Sequence, residues 1–352
     1  MKTEVIRVDP KEPQIEKVKR AARVIREGGL VVIPTETVYG IAANMLDRKA
    51  IQRLYTVKQR PQDKPFSLHI ASKEDVEQYA WDILPFAWRL MEKFWPGPMT
   101  LLLKSRENNK VGVRMPDHKV ALAIIKDVDL PLACPSANLS GNPAPSTCQE
   151  VLKDLDGLID LVVDSGKTTL GQDSTVIDAT RIPVQILRQG SLSKDEVEKI
   201  VNKRVILFVC AGNSCRSVMA KAILEKKLKE RKRDDIEVLS AGIMMLDGLG
   251  ASEQTEKILE REGIDVSMHH SQGVSQKMIK EADIILVMER SQEARILEIS
   301  PEVKNRLFLL KEFAKIRDND LDIADPIGKS AEFYEQVFGI IKEAVEKVAQ
   351  II

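Results

Sequence analysis

The sequence predicts a two-domain α/β protein whose second domain contains a doubly wound parallel sheet. The chain has 352 residues, more than a single hydrophobic core usually organises. Strand-like apolar runs alternate with amphipathic helical stretches along the whole chain. After residue 204 the alternation becomes regular, as is typical of a parallel sheet with helices on both faces. We therefore expect domains at 1–192 and 204–352, joined by a polar helical connector at 193–203.

The first domain is predicted to be a mixed α/β structure with many loops. Helical spacing of apolar residues predicts a helix over 14–27, which Gly28-Gly29 ends, followed by a buried strand at 30–33. Further strands are predicted at 66–70, 99–103, 121–125, 158–163, 174–177 and 184–187, and further helices near 47–58, 73–80, 84–94 and 146–155.

The second domain alternates strand and helix regularly. Strands are predicted at 205–209, 237–240, 284–288 and 306–309, and helices at 217–230, 252–263 and 330–352. Parallel sheets bind ligands at the carboxyl ends of their strands, and Cys210 lies at such an end.

Composition excludes several classes of protein. Lys+Arg and Asp+Glu are both 53, so a general electrostatic attraction to nucleic acid is not expected. No apolar run approaches the ~20 residues that span a bilayer, and no signal peptide is recognisable. The 4 cysteines are too few for a disulfide framework in a chain of this length, which favours a reducing cytoplasm. Without paired CxxC motifs or HExxH, no zinc site is expected.

The segment from Cys210 to Ser217, directly behind the apolar run 205–209, predicts a phosphate-binding loop that carries a nucleophile. Backbone N–H groups of such a loop and the positive end of the next helix converge on one anion. These groups and Arg216 are expected to favour the thiolate of Cys210, and Arg216 can bind phosphate oxygens in a two-pronged contact. Hydrolysis also needs an acid, for which Asp325 before Pro326 is the candidate.

Residues 204–350 resemble the low-molecular-weight protein phosphatase family. The similar segments are the loop C-x-G-N-x-C-R-S, Ser240-Ala241-Gly242, Gly263-Ile264-Asp265, Asp283 to Met288, and Asp325-Pro326. The resemblance implies that Cys210 attacks phosphorus, Arg216 binds the phosphoryl oxygens, and Asp325 protonates the leaving group and then activates water. It also implies supporting roles in the loop for Asn213, Ser214, Cys215 and Ser217, with Cys215 able to form a protective disulfide.

The segment after Asp325-Pro326 bears on the substrate. Tyrosine phosphatases of this family usually place two aromatic residues there, whereas this chain has Ile327-Gly328-Lys329-Ser330. With the small hydroxyl residue Ser214, this pattern resembles the bacterial protein-arginine phosphatases, which typically have threonine at that position. We expect phosphoarginine in phosphorylated proteins as the substrate, with phosphotyrosine as the alternative, and no cofactor in this domain.

The first domain contains several motifs that suit a small polyanionic ligand. Pro34 to Gly40 follows a buried strand and is rich in hydroxyl groups, and Lys58 to Pro65 combines three cations with two prolines, a combination suited to polyphosphate. More motifs follow in order: Trp95 to Thr100, Val113 to Pro116, Pro135 to Gly141, Asp173 to Asp178, and Ile186 to Gly190.

In this order the motifs resemble the YrdC-like threonylcarbamoyl-AMP synthases, over residues 10–200. The resemblance implies a mixed twisted sheet and a reaction that joins L-threonine, bicarbonate and ATP for the t6A modification at tRNA position 37. A tRNA-modification transferase complex is the implied partner, and Mg²⁺ is expected with ATP, although no carboxylate cluster marks its site. The implied ligands of threonine are Thr37, His69, Arg114, Ser136 and Ser174, and those of ATP are Lys58, Arg60, Lys64, Asn138, Ser146 and Arg188. The alternative is an RNA-binding module without synthase activity.

Overall fold

The computed structural model describes residues 2–107, 109–244 and 246–352. It divides into two compact units, Met1–Val201 and Asn202–Ile352, both of the α/β class. The predicted connector at 193–203 is mostly the helix Lys194–Val201, whose Val197 is fully buried in the core of the first unit. This stretch is therefore part of the first unit, and the two units meet in sequence directly after it.

The first unit contains a mixed ten-stranded sheet in the order β1-β8-β2-β3-β7-β4-β6-β5-β9-β10. It contains both parallel pairs, such as β2 with β8, and antiparallel pairs, such as β5 with β6. The strands are β1 Glu4–Arg7, β2 Val31–Ile33, β3 Gly40–Asn44, β4 Leu68–His69, β5 Met99–Lys104, β6 Lys110–Arg114, β7 Leu132–Ala133, β8 Leu161–Asp164, β9 Thr175–Asp178 and β10 Gln185–Arg188.

Seven helices of the described residues accompany this sheet. The first buries the face that the sequence predicted, with Val18, Ala21, Ala22 and Ile25 in the core. The helices are α1 Ile15–Arg26, α2 Arg48–Lys58, α3 Val76–Tyr79, α4 Pro85–Phe94, α5 Lys119–Val128, α6 Cys148–Leu155 and α7 Lys194–Val201.

One predicted strand of the first unit is wrong. Residues 121–125 lie inside helix α5, which buries Val120, Ala121, Ile124 and Ile125 on one face. A short apolar run fits a buried strand or a buried helix equally well, and here packing of α5 against α1 and the sheet favours the helix. Strands β1, β3, β6 and β7 were not predicted: all are short, and β3 and β6 overlap the motifs Pro34 to Gly40 and Val113 to Pro116, which were analysed for ligand binding only.

The second unit has four parallel strands in the order β12-β11-β13-β14, so the doubly wound parallel sheet is confirmed. Side chains of β11 alternate between two hydrophobic cores: Ile206 and Phe208 belong to one, Val205 and Leu207 to the other. The strands are β11 Arg204–Cys210, β12 Ile236–Gly242, β13 Ile284–Val287 and β14 Leu307–Leu309.

Helices cover both faces of this sheet, as predicted. The short helices α10 to α12 and a 3₁₀ helix at Pro301–Arg306 were not predicted. The helices are α8 Arg216–Glu230, α9 Glu253–Arg261, α10 Gln276–Glu281, α11 Arg290–Ile299, α12 Leu310–Phe313 and α13 Ala331–Ile351. Among the described residues of both units, every helix is too short or too polar to cross a bilayer.

Candidate functional sites

A cavity of about 280 Å³ lies on one face of the first unit's sheet. Alternate residues of the paired strands β5 and β6 form its floor, since Thr100 and Leu102 point to the same side as Lys110, Gly112 and Arg114. Further lining residues come from β4, β10 and the loops after β2, α2 and β7 and before β9: Thr35, Arg60, His69, Cys134, Ser136, Asp173, Ser174 and Arg188. The cavity is therefore strongly cationic, with four arginine or lysine side chains and one carboxylate in its lining.

Arg114 lies at one end of this cavity and is only 5% exposed. Its Nη2 donates hydrogen bonds to Glu36 Oε1 at 2.6 Å and to Thr37 Oγ1 at 2.7 Å. Its Nε is buried and has no hydrogen-bond partner in the protein, and the same holds for Nδ1 of the neighbouring His69. Buried polar groups rarely stay unpaired, so this pair of nitrogens indicates a place for a polar ligand.

Burial and the charge of Arg114 hold the pKa of His69 well below its usual value. The His69 ring is therefore neutral at physiological pH and can accept or donate one hydrogen bond at each nitrogen. Because the imidazole of His69 is neutral, it does not repel the guanidinium of Arg114, which carries the positive charge of this pair.

Lys58 lies behind the cavity rather than in its lining. Its Nζ donates to the backbone carbonyls of Ser136 at 2.5 Å and Asn138 at 2.8 Å, so the ammonium group supports the loop at 136–138. Burial lowers the pKa of Lys58 to about 8. The side chain is almost completely buried, and its role in the structure is to hold this loop against α2.

Arg188 and Ser174 face each other at another wall of the cavity. Arg188 donates from Nε and Nη2 to the carbonyl of Ser174 at 3.1 and 3.0 Å, and from Nη2 to Ser174 Oγ at 3.1 Å. Thr100 Oγ1 lies 2.9 Å from the same Ser174 Oγ, and Asp173 forms an ion pair with Arg188 at 3.5 Å. The orientation of the guanidinium is therefore fixed before any ligand binds.

The structure brings most of the predicted ligand residues together. Arg60, His69, Arg114, Ser136, Ser174 and Arg188 line the cavity, and Thr37 contacts it through Arg114. Asn138 and Ser146 line a neighbouring depression of about 430 Å³. The Lys64 side chain is exposed and does not line the cavity, although its carbonyl accepts a hydrogen bond from Arg60 Nε at 3.0 Å.

Several residues that line the cavity or contact its lining were missed by the sequence interpretation. Glu36 lies within the Pro34 to Gly40 motif, where a carboxylate between two threonines could have been noticed. Asp173 begins one of the motifs noted in the sequence but was not among the predicted ligands. Lys110 carries no signal in the sequence, because only the pairing of β6 with β5 brings it to the cavity. Cys134 also lines it, but burial raises the pKa of its thiol to about 12.

The second unit presents the predicted phosphate loop between β11 and α8. Asn213, in the middle of the loop, has a left-handed conformation with φ 52°. Its fully buried side chain donates from Nδ2 to Ser217 Oγ at 2.9 Å and to Ser240 Oγ at 3.1 Å. Its Oδ1 accepts from the Gln272 N–H at 3.0 Å. One side chain therefore connects the loop to α8, β12 and the segment at 272.

The Cys210 thiol is buried in the floor of this loop. Its Sγ lies 3.0 Å from Ser217 Oγ and accepts a hydrogen bond from the Asn213 N–H at 3.3 Å. Burial has the largest effect and raises the pKa of Cys210, while the contacts with Ser217, Arg216 and Asn213 act in the opposite direction. Our expectation of a lowered pKa considered only these latter groups, because burial of the thiol is not visible in the sequence.

Arg216 and Asp325 are brought into direct contact, although 109 residues separate them in the chain. Arg216 is 1% exposed, pairs through Nη2 with Asp325, and donates from Nη1 to the Ile323 carbonyl at 2.7 Å. Glu289, which the sequence interpretation missed, lies 2.8 Å from Nη1. The guanidinium is thus held by two carboxylates at the base of the loop, and the proposed acid is adjacent to it.

Ser214 and Cys215 complete the loop. The Ser214 carbonyl accepts a hydrogen bond from the Ser252 N–H at 3.0 Å, and the Cys215 thiol donates to Ser252 Oγ at 3.2 Å. The Tyr334 hydroxyl lies 3.5 Å from Cys215 Sγ, and all four cysteines are free thiols. Ile327, next to the Asp325-Pro326 pair, is 55% exposed.

The two sites define a class of protein with a cationic small-molecule cavity in one α/β unit and a cysteine-based phosphate loop in the other. The Sua5/YciO/YrdC family, described as telomere recombination, matches residues 23–190. The low molecular weight phosphotyrosine protein phosphatase family matches residues 205–352. The chain belongs to both families, one in each unit.

Individual relatives agree with this division. The chain is 44% identical over 213 residues to threonylcarbamoyl-AMP synthase of Pyrococcus abyssi, over 58% of this chain and 63% of that protein. It therefore spans less than two thirds of that relative. Protein-arginine-phosphatase of Geobacillus stearothermophilus is 36% identical over 145 residues, covering 41% of this chain and 93% of the relative.

Solved structures of a Sua5 protein are similar over most of the chain. The crystal structure of P. abyssi Sua5 complexed with L-threonine matches with a TM-score of 0.55 and 30% sequence identity. The match covers 87% of this chain and 99% of that one.

Proposed function

We propose that the first unit synthesises L-threonylcarbamoyladenylate from L-threonine, bicarbonate and ATP, with release of pyrophosphate. The observation that carries the proposal is the pair of unpartnered buried nitrogens, Arg114 Nε and His69 Nδ1, at one end of the cationic cavity. An amino-acid carboxylate is the ligand that such a guanidinium suits, and hydroxyl groups for a threonine side chain lie nearby at Ser136 and Ser174. The similarity to a Sua5 protein complexed with L-threonine supports the same assignment.

We propose that ATP binds near the other cations of the cavity. Arg60 and Arg188 line it, and Lys58 supports the loop at 136–138 that separates the cavity from the depression at Asn138 and Ser146. These cations would neutralise phosphate charge as the carbamate oxygen attacks the α-phosphorus and the bond to pyrophosphate breaks. The product would serve the t6A modification of tRNA, with a tRNA-modification transferase complex as the partner.

Mg²⁺ is proposed to accompany ATP. Asp173 supplies a carboxylate to the cavity lining, and the described residues contain no group of three His, Cys, Asp or Glu side chains that could hold a metal by themselves. One carboxylate with several phosphate oxygens fits the coordination that Mg²⁺ adopts with nucleotides. The ion would shield phosphate charge, and the protein side chains would orient the two substrates.

The test of the synthase is L-threonine- and bicarbonate-dependent release of pyrophosphate from ATP by the full chain. Arg60→Ala and Arg114→Ala variants are expected to lose this release, because each removes a charge from the cavity. Retention of RNA binding without any threonine-dependent release would instead support the alternative, an RNA-binding module.

We propose that the second unit hydrolyses phosphoarginine in phosphorylated proteins. Cys210 Sγ would attack phosphorus and form an S–P bond as the N–P bond breaks, and Asp325 would donate a proton to the leaving guanidine nitrogen. Water activated by Asp325 would then release phosphate and restore the thiolate. The exposed aliphatic residue Ile327 after Asp325-Pro326, in place of an aromatic one, supports this substrate, as does the similarity to a protein-arginine-phosphatase.

Hydrolysis of phosphoarginine and phosphotyrosine peptides by the full chain, with Cys210→Ser as the control, tests this proposal. Preference for phosphoarginine is the expected result. Preference for phosphotyrosine would mean that the site accepts a phenol ring without aromatic residues after Asp325-Pro326, and would replace the proposed substrate.

A further inference from the structure

We propose that Glu36 is a positioning residue for the carboxylate of the amino-acid substrate. It acts through Arg114, by fixing the guanidinium in the orientation that leaves Nε without a protein partner. This inference rests on the proposed binding of L-threonine at Arg114.

Both oxygens of the Glu36 carboxylate are engaged. Oε1 accepts from Arg114 Nη2 at 2.6 Å, and Oε2 accepts from the Asp117 N–H at 3.0 Å. The side chains of Glu36 and Arg114 are 8% and 6% exposed. Because both oxygens of this carboxylate are held and shielded from water, it fixes the position of the guanidinium more strongly than the carboxylate of an exposed ion pair would.

The backbone of residue 36 is held as well. Its carbonyl accepts from the Leu170 N–H at 2.8 Å and from Thr169 Oγ1 at 3.1 Å. Glu36 is therefore held by the loop at 169–170 and, through the Asp117 N–H, by the turn after β6. None of these contacts requires a bound ligand.

The hydrogen bonds of Arg114 show what this positioning achieves. Nη2 has two N–H groups, and Glu36 and Thr37 accept both of them. Nε therefore stays unshared, beside the unpartnered Nδ1 of His69. A ligand carboxylate can bind at these nitrogens without displacing Glu36.

The charge of Glu36 has a second consequence. A guanidinium buried without a counter-ion would be strongly unfavourable, and neutral His69 cannot compensate it. Asp173, which does line the cavity, is paired with Arg188. Glu36 thus holds the guanidinium of Arg114 in place before the substrate arrives, which reduces the cost of ordering it on binding.

A double-mutant cycle on the full chain tests this role. The affinity for L-threonine is measured by calorimetry for wild type, Glu36→Gln, Arg114→Lys and the double variant. We expect Glu36→Gln to weaken binding about 10-fold in the wild-type background and less than about 2-fold in the Arg114→Lys background, as for residues that act through one contact. L-threoninol, which lacks the carboxylate, should bind wild type and Glu36→Gln equally.

Glu4→Gln is the matched control, because Glu4 forms an exposed pair with Arg20 at 2.9 Å in the same unit. It should leave threonine affinity unchanged. If Glu36→Gln does not fold, Glu36→Asp takes its place, since the shorter side chain cannot reach both Arg114 and the Asp117 N–H. Equal losses in both backgrounds would overturn the role of Glu36, and wild type that binds no L-threonine would overturn the proposed substrate itself.

Discussion

Gly242 at the end of β12 leaves no space for a side chain beside the phosphate loop. A Cβ at this position would lie 2.6 Å from the Ala211 carbonyl oxygen and 3.0 Å from the Asn213 nitrogen. Gly242 cannot move away easily, because it is paired with Cys210 in the sheet and its own N–H and carbonyl bond Gln272 and Val274. In a Gly242→Ala variant, the loop itself must therefore shift.

The size of the effect follows from these distances. Relief of the contact requires a loop displacement of about 0.4–0.8 Å, and a misplacement of about 1 Å can reduce catalysis about 100-fold. We expect Gly242→Ala to lower phosphatase kcat/KM by about 10- to 100-fold and to destabilise the second unit by about 1–3 kcal/mol. The assay is hydrolysis of an aryl phosphate by the full chain.

Gly250→Ala provides the control, because no heavy atom lies within 4 Å of the added Cβ and the position is not left-handed. It should retain wild-type kcat/KM. The reasoning fails if Gly242→Ala is as active as wild type, or if Gly250→Ala loses the same activity.

Three further predictions concern single side chains. Asp325→Asn should reduce phosphatase kcat for phosphoarginine by about 10²–10⁴-fold. The loss should be smaller for a nitrophenyl phosphate, whose leaving group needs no proton, and an equal loss for both substrates would contradict the role of Asp325 as the acid. Since the pKa of Lys58 is lowered to about 8, its ammonium loses its proton above that pH, and the KM for ATP should rise above pH 8. A KM that does not change with pH would contradict this, whereas the Lys58→Arg variant should show such a constant KM. Burial raises the pKa of Cys134 to about 12 and that of Cys148 to about 11, so iodoacetamide should label neither in native protein at pH 8, as peptide mass mapping would show.

The phosphate loop could be predicted because its geometry is local. A strand, a tight loop and a helix follow one another between Arg204 and Glu230, so sequence order alone places Cys210 at the floor and Arg216 at the helix start. The same holds for α1, whose apolar spacing dictates the buried face.

The segment at 121–125 shows where this local reasoning fails. Its residues are all apolar, so their pattern fits a strand and a helix equally well. Only packing of α5 against α1 and the sheet determines that a helical face is buried. The connector at 193–203 is a similar case, because Val197 finds a place in the core of the first unit that a polar sequence pattern does not reveal.

The sequence by itself determined the two families, the parallel sheet of the second unit and the residue types of both sites. Tertiary structure decided which charges meet: Glu36 with Arg114 across 78 residues, and Asp325 and Glu289 with Arg216. It also decided the direction of the pKa of Cys210, since burial opposes the nearby hydrogen bonds. The physical reason is common to these cases. Desolvation and ion pairing depend on what surrounds a group in space, and that is set by chain segments far away in sequence.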